Sequence, residues 1–305
     1  MRRLRAAAPI LTLLVFAPAL FAEPSAAPRR GAIVRKGVAQ TSYSVEVPIV
    51  TRIQGTAFFK TAIDISNNTN SNGVTATFQY AYTRTSDNGF FRTVPQALTL
   101  NAVDNFHHDD FVQYMGSLGI LQPGAADSSF GTLLVTFENL PSDDGWEGTV
   151  FARTYSPAPV GGGTNGIAYA GSLFFESASV TLVATIRDTL PSPTEAGALR
   201  TNIGIRSTDV TGTTNNATVD LSFYDTVTGT RVGNILTLSG LRPGEVRQIN
   251  NVYTAASIST DVTSVIVFAD VRNPSTSTPT IEGYVNILDD ATKDGSFFEM
   301  KRADP

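Results

Sequence analysis

Phe59-Lys60-Thr61-Ala62-Ile63-Asp64-Ile65-Ser66 and Leu199-Arg200-Thr201-Asn202-Ile203-Gly204-Ile205-Arg206 decide how this chain is read. Both carry an isoleucine pair at the same place, with polar or small residues between, the period-two pattern of a strand with one buried face. A polar loop follows each, NNTNSNG in one case and TGTTNNA in the other, and then a second alternating stretch, Val74–Tyr80 or Ala217–Phe223. Further outward, Leu98-Thr99-Leu100 matches Leu236-Thr237-Leu238, and Leu133-Leu134-Val135 matches Val265-Ile266-Val267. Gly148–Ala152 matches Gly283–Ile287, and GSLFFE at Gly171–Glu176 echoes GSFFE at Gly295–Glu299. Six blocks recurring in one order predict a single fold written twice, with loops of different length between its strands.

Composition agrees with strands. Of 305 residues 38 are Thr, 18 Phe and 9 Tyr, types that suit half-buried pleated surfaces better than helices. The absence of Cys excludes disulfides, zinc-thiolate and iron–sulfur sites and thiol catalysis. The expected architecture is all-β: two tandem antiparallel β-sandwich domains, immunoglobulin-like or related, over residues 45–176 and 177–305, with Gly, Pro, Asn and Asp clusters between strands. One short helix is expected in each. Asp109-Asp110-Phe111-Val112-Gln113-Tyr114-Met115-Gly116 starts with capping carboxylates and places Phe111, Tyr114 and Met115 on one face before a glycine. Its counterpart is Ile249–Tyr253, preceded by the tight Pro-Gly turn of Leu241-Arg242-Pro243-Gly244-Glu245.

The start of the chain reads as an export signal. MRRLR is followed by the apolar AAAPILTLLVFAPALFA, with cleavage expected after Ala22, or alternatively after Ala19, and a Pro/Ala/Arg/Gly-rich flexible linker over 23–44. The apolar run is too short and too proline-broken for a membrane span, and no later segment is apolar enough to replace it. Removing Arg2, Arg3 and Arg5 takes the formal balance from 22 − 27 to 19 − 27, or −8. A chain that acidic, with no basic stripe, is a poor partner for nucleic acid. The expected location is secreted or periplasmic, at the cell envelope.

Candidate functional residues fall into three sets. His107 and His108, the only histidines, adjoin Asp109 and Asp110, and imidazole with carboxylate is metal-binding chemistry. Alternation in a strand leaves one His and one Asp per face, however, so a helix cap is the simpler reading. Asp143, Asp144 and Glu147 around Trp146, and Asp289, Asp290 and Asp294, form oxygen-rich loops without the spacing of a calcium loop. Trp146 and Tyr155 are candidate aromatic anchors for a sugar ring or a protein partner. No Gly-x-Ser-x-Gly elbow or Cys-His pair is present, and a carboxylate-dependent hydrolase survives only because carboxylate separation is a property of the fold.

These blocks resemble a group of exported bacterial proteins built from tandem β-sandwich domains. The resemblance rests on the Leu-x-Pro-Gly-Glu turn at Leu241–Glu245, on the acidic helix start at Asp109–Gly116, and on Ala152-Arg153-Thr154-Tyr155 followed by Gly162–Gly166, matched in the second copy by Leu288–Gly295. It spans Val45 to Met300. In the first copy Asn105-Phe106 stands where Pro243-Gly244 is expected, which predicts a longer or differently shaped turn there. The resemblance implies fold and export, carries no catalytic residues and requires no cofactor. The expected role is a non-enzymatic interaction or structural module with a protein or polysaccharide partner; the alternative is a carbohydrate-binding protein using exposed loop aromatics.

Overall fold

The computed structural model describes residues 42–303 except 55–56, 142–146, 158–163, 172–177, 179, 188–198, 209–213, 260, 273, 275–277, 279 and 290–294. The expected signal and most of the linker lie outside the described residues. In the first half the strands are β1 (Ser42–Gln54), β2 (Phe58–Asn67), β3 (Val74–Arg84), β4 (Gly89–Arg92), β5 (Gln96–Leu100) and β6 (Asp104–His108). Helix α1 (Phe111–Ser117) follows, then β7 (Ser129–Glu138), β8 (Gly148–Pro157) and β9 (Thr164–Ala170). The second half has β10 (Thr181–Arg187), β11 (Leu199–Ser207), β12 (Ala217–Asp225), β13 (Leu236–Leu241), β14 (Val246–Ile249) and α2 (Val252–Ala256). It ends with β15 (Ser264–Val271), β16 (Ile281–Asp289), β17 (Gly295–Glu299) and β18 (Lys301–Arg302). Ser42–Ser44, assigned from sequence to the linker, already pair with Thr136–Glu138 of β7.

The protein is all-β and its pairing is antiparallel throughout. One layer of the first half runs β5-β3-β7-β1 and the other β6-β2-β8-β9; the second half has β13-β12-β15-β10 and β14-β11-β16-β17. Position by position, the two orders are the same. After β7 the chain crosses to the other layer, where β8 lies beside β2 and β9 beside β8, while β1 flanks β7. The orders β1-β7-β3 and β2-β8-β9 are the orders B-E-D and C-F-G of the immunoglobulin sandwich. The last three residues of β1 also pair with Phe58–Lys60 of β2, so a corner joins the first half's layers into one nine-stranded sheet. Alternation over Val74–Tyr80 of β3 and through β12 and β15 sends Val74, Ala76 and Phe78, then Val219, Leu221 and Phe223, then Val265, Val267 and Ala269 into two core clusters.

Register refines the sequence matches. If Ile63 and Ile203 are equivalent, Ala152 matches Val285, because each is the partner of that isoleucine in the next strand. The block Gly148–Ala152 therefore corresponds to Ile281–Val285, two residues before the sequence match Gly283–Ile287. A two-residue slip keeps every side chain on its face, which is why the hydrophobic pattern could not reveal it. GSFFE forms β17 and pairs with β16 as Gly166–Ala170 pairs with β8. Its equivalent is thus Gly166–Ala170 and not GSLFFE, of which all but Gly171 lies outside the described residues.

The turns before β6 and β14 also correct the sequence reading. Leu100 pairs with Val74 as Leu241 pairs with Ala217, so Leu100-Asn101-Ala102-Val103-Asp104 is the counterpart of Leu241–Glu245. In both, the acidic side chain accepts from the backbone N–H three residues back: Asn101 N to Asp104 at 3.0 Å and Arg242 N to Glu245 at 2.8 Å. Gly244 sits at φ +74° and its counterpart Val103 at +52°. A β-branched residue there carries the left-handed penalty. Val103 is also 71% exposed and has little packing to lose. Val103→Gly should therefore raise stability by about 0.5–1 kcal/mol after the entropic cost of glycine, and Gly244→Val should lower it. Denaturant midpoints of the two variants moving in the same direction would contradict the shared turn.

Both expected helices form, α2 starting three residues later than the expected Ile249–Tyr253 because Ile249 still belongs to β14. Asp110 caps α1 by accepting from Gln113 N, and Asn251, itself left-handed, caps α2 by accepting from Thr254 N. Helix α1 runs past the expected terminator Gly116, which lies against Ala126 where a β-carbon would not fit.

The described residues form one compact unit. Tyr284 and Val246 of the second half are buried members of the first half's core cluster. The Phe297 ring stacks on Tyr169 at 5.2 Å and on Tyr284 at 5.4 Å. Arg206 of β11 pairs with Glu46 of β1 and with Glu282. At another corner the guanidinium groups of Arg92 and Arg242 lie 5.4 and 5.3 Å from the centre of the Phe90 ring, so the β4 hairpin clasps the Arg-Pro-Gly turn.

Candidate functional site

The outer face of the β6-β2-β8-β9 layer carries the densest polar arrangement among the sequence-predicted residues. Register places Asp64 of β2 opposite His107 of β6 and also opposite Phe151 of β8. His107 Nδ1 lies 2.9 Å from Asp64 Oδ1, and its Nε2 lies 3.1 Å from Asp109 Oδ1. Asn105 Nδ2 donates to the same Asp64 oxygen at 3.1 Å, and Ser66 Oγ donates to Asn105 at 2.9 Å. Tyr155 Oη donates to the Asp109 carbonyl at 3.1 Å, which ties the expected aromatic anchor to the expected acidic cluster. Lys60 Nζ and Arg153 Cζ lie 5.2 and 5.3 Å from the centre of the Tyr155 ring. Tyr155 is therefore already engaged by cations rather than standing free.

The other half of the HHDD motif turns inward. His108 accepts from Asp110 N at 3.2 Å and its ring lies 4.9 Å from Tyr114. Asp110, expected as a solvated cap, is 6% exposed and accepts from Arg52 Nε at 2.9 Å as well as from Gln113 N. His107 with Asp109 and His108 with Asp110 thus serve different faces, as strand alternation requires. Among the described residues no group of three or more His, Asp or Glu side chains is arranged to hold a metal ion. Trp146, Asp143, Asp144, Asp290 and Asp294 lie outside the described residues; Asp289 closes β16.

Two carboxylates bonded to one imidazole favour its protonated form. Asp64 first and Asp109 second hold the His107 pKa above its ordinary value, against a smaller opposing effect of burial. The sign follows from linkage: a raised folded-state pKa gives stability that is complete below the unfolded value, about 6.5, and lost as pH rises through the folded one. Because the side chain is 49% exposed, screening keeps the effect small. The melting-temperature difference between wild type and His107→Gln should shrink from pH 5.5 to pH 8, and salt should reduce it further. A difference constant across that window would refute the assignment.

Sequence reasoning missed Asp64, Arg52 and Phe151 as participants. Asp64 was visible as an outward polar residue in FKTAIDIS, but only cross-strand register identifies its partner. Phe151 is 46% exposed beside Asp64, and nothing in the local pattern separates it from its buried neighbours Val150 and Ala152 except parity. No family model matches the chain, and no curated protein matches it.

Proposed function

We propose that the chain is a non-enzymatic exported protein, a tandem β-sandwich of the bacterial envelope type it resembles, acting as an interaction or structural module at the cell envelope or outside the cell. The observation that carries this reading is the state of His107. Both ring nitrogens face carboxylates, and among the described residues no hydroxyl bonds to it as a nucleophile would. The surface around it is a sheet face rather than a cleft, with its aromatic and charged side chains bonded to one another. Repetition of one strand order in both halves supports descent from a single copied unit. The acidic balance supports a protein or polysaccharide partner over nucleic acid.

The test pairs binding with turnover. A polysaccharide array and an envelope-fraction pull-down are probed with wild type, Tyr155→Ala and Trp146→Ala, and the same proteins are offered a glycoside and ester panel. The proposal expects no turnover and retention on the envelope fraction. Sustained hydrolysis abolished by Asp64→Asn would overturn it in favour of carboxylate chemistry. A soluble-glycan signal lost in Trp146→Ala would redirect it to sugar binding.

A further inference from the structure

The junction between the halves uses two aromatic positions whose equivalents are left exposed elsewhere on the chain. Tyr284 lies opposite Gly204, and Phe151 lies opposite Asp64; Gly204 and Asp64 hold the same place in LRTNIGIR and FKTAIDIS. Phe151 is therefore the first half's counterpart of Tyr284. Tyr169 lies opposite Ala152, and Phe298 lies opposite Val285, the residues matched above through Ile63 and Ile203. Phe298 is thus the second half's counterpart of Tyr169. Inside the chain Tyr169 and Tyr284 meet through Phe297 and are 6% and 2% exposed. Their counterparts Phe298 and Phe151 are 52% and 46% exposed.

Each half has a sheet face and an edge. The second half's face, centred on Tyr284, is spent on the first half's edge at Tyr169. That leaves the first half's face, with Phe151, and the second half's edge, with Phe298, as the two unused members of the same pair. Around Phe298 the edge opens as a groove of about 440 Å³ lined by Phe297, Glu299 and Lys301 on one side and Ala168–Ala170 on the other. The ring that mediates the internal junction, Phe297, sits two residues beyond Gly295, which lies opposite Leu288 as Gly166 lies opposite Tyr155. Its counterpart on the first half's face is Ala168, small enough to let two phenylalanines meet directly.

We propose that a second copy of this chain occupies that groove, with Phe151 of one copy against Phe298 of the next, repeating between molecules the junction seen within one. The contact is heterologous: the two surfaces differ, so a pair keeps a free edge on one copy and a free face on the other, and growth continues beyond two. This rests on the reading of the chain as an interaction module and names its partner. Exposed aromatics in a polar rim are where association energy concentrates, and two complementary unmatched apolar positions on one chain are what self-assembly requires.

Sedimentation velocity over a concentration series tests it. The wild-type chain should show a weight-average mass that climbs past twice that of the monomer. Phe151→Glu and Phe298→Glu should each weaken association about tenfold or more while leaving circular dichroism and melting temperature unchanged, since both side chains are half-exposed. An equimolar mixture of the two variants should form a 1:1 pair and stop there, because one supplies an intact edge and the other an intact face. A wild-type chain that stays monomeric, a wild-type assembly that closes at two, or a mixture that behaves as its separate components would each overturn the proposal. A monomer that still binds the envelope fraction would discard self-assembly and leave the broader function standing.

Discussion

Arg206→Ala is expected to cost roughly 3–5 kcal/mol, because it removes the cation that pairs with both Glu46 and Glu282. Arg206 is 4% exposed in β11, and its Nη1 lies 2.9 Å from Glu282 Oε2 while also pairing with Glu46 of the other half. Burial pulls the guanidinium below its ordinary pKa and Glu282 opposes that pull. A cluster of this kind contributes little net stability when compared with an apolar replacement, but truncating one member leaves the others desolvated without compensation. The informative comparison is therefore with Arg206→Met/Glu46→Leu/Glu282→Leu. That triple variant should unfold much closer to wild type than the single alanine does. Urea midpoints in which the single variant loses less than about 1 kcal/mol would show that the three side chains are solvated in practice.

How far the sequence could be read divides along the distinction between periodicity and register. Period-two alternation in Val74–Tyr80 and Ala217–Phe223 located β3 and β12, and their buried residues are those the alternation placed inward. The capping carboxylate at Asp110 located α1, since an N-cap is a local chemical requirement, and the repeat alone placed α2 near its counterpart Ile249–Tyr253. Offsets of two residues between the copies were invisible, because they leave parity unchanged. The turn at Leu100–Asp104 was missed for a different reason. Val103 takes a left-handed conformation that its side chain disfavours, and the hydrogen bond from Asn101 N to Asp104 is what identifies the turn. The candidate site shows the same limit. His107 and Asp109 are two residues apart in sequence and were legible, whereas Asp64 and Phe151 reach the same face only through strand pairing across more than forty residues. Arg52 was hidden similarly: as an isolated basic residue near the end of β1 it gave no sign that it would turn a solvent-facing cap into a buried ion pair with Asp110.

Gly204→Ala should be the most damaging single-methyl change at the junction, with an expected loss of about 2–4 kcal/mol. Alanine in a strand ordinarily gains over glycine, since it loses less backbone freedom on folding. Here a β-carbon would lie 2.0 Å from Cζ and 2.4 Å from Oη of Tyr284, a ring that cannot yield. Tyr284 is held from several sides: Phe297 stacks on it, its Oη donates to Gln248 Oε1 at 2.9 Å, and it is 2% exposed. Moving it would break the Tyr169–Phe297–Tyr284 stack, one of the contacts that join the halves. The cause can be isolated by coupling. Tyr284→Leu alone removes the stack and should itself destabilise, but in its presence Gly204→Ala should cost little, because the shorter side chain vacates the space the methyl needs. Strictly additive losses in the double variant would place the damage in the β11 backbone instead of the aromatic junction. That result would also remove the steric template from which the pairing of Phe151 with Phe298 is inferred.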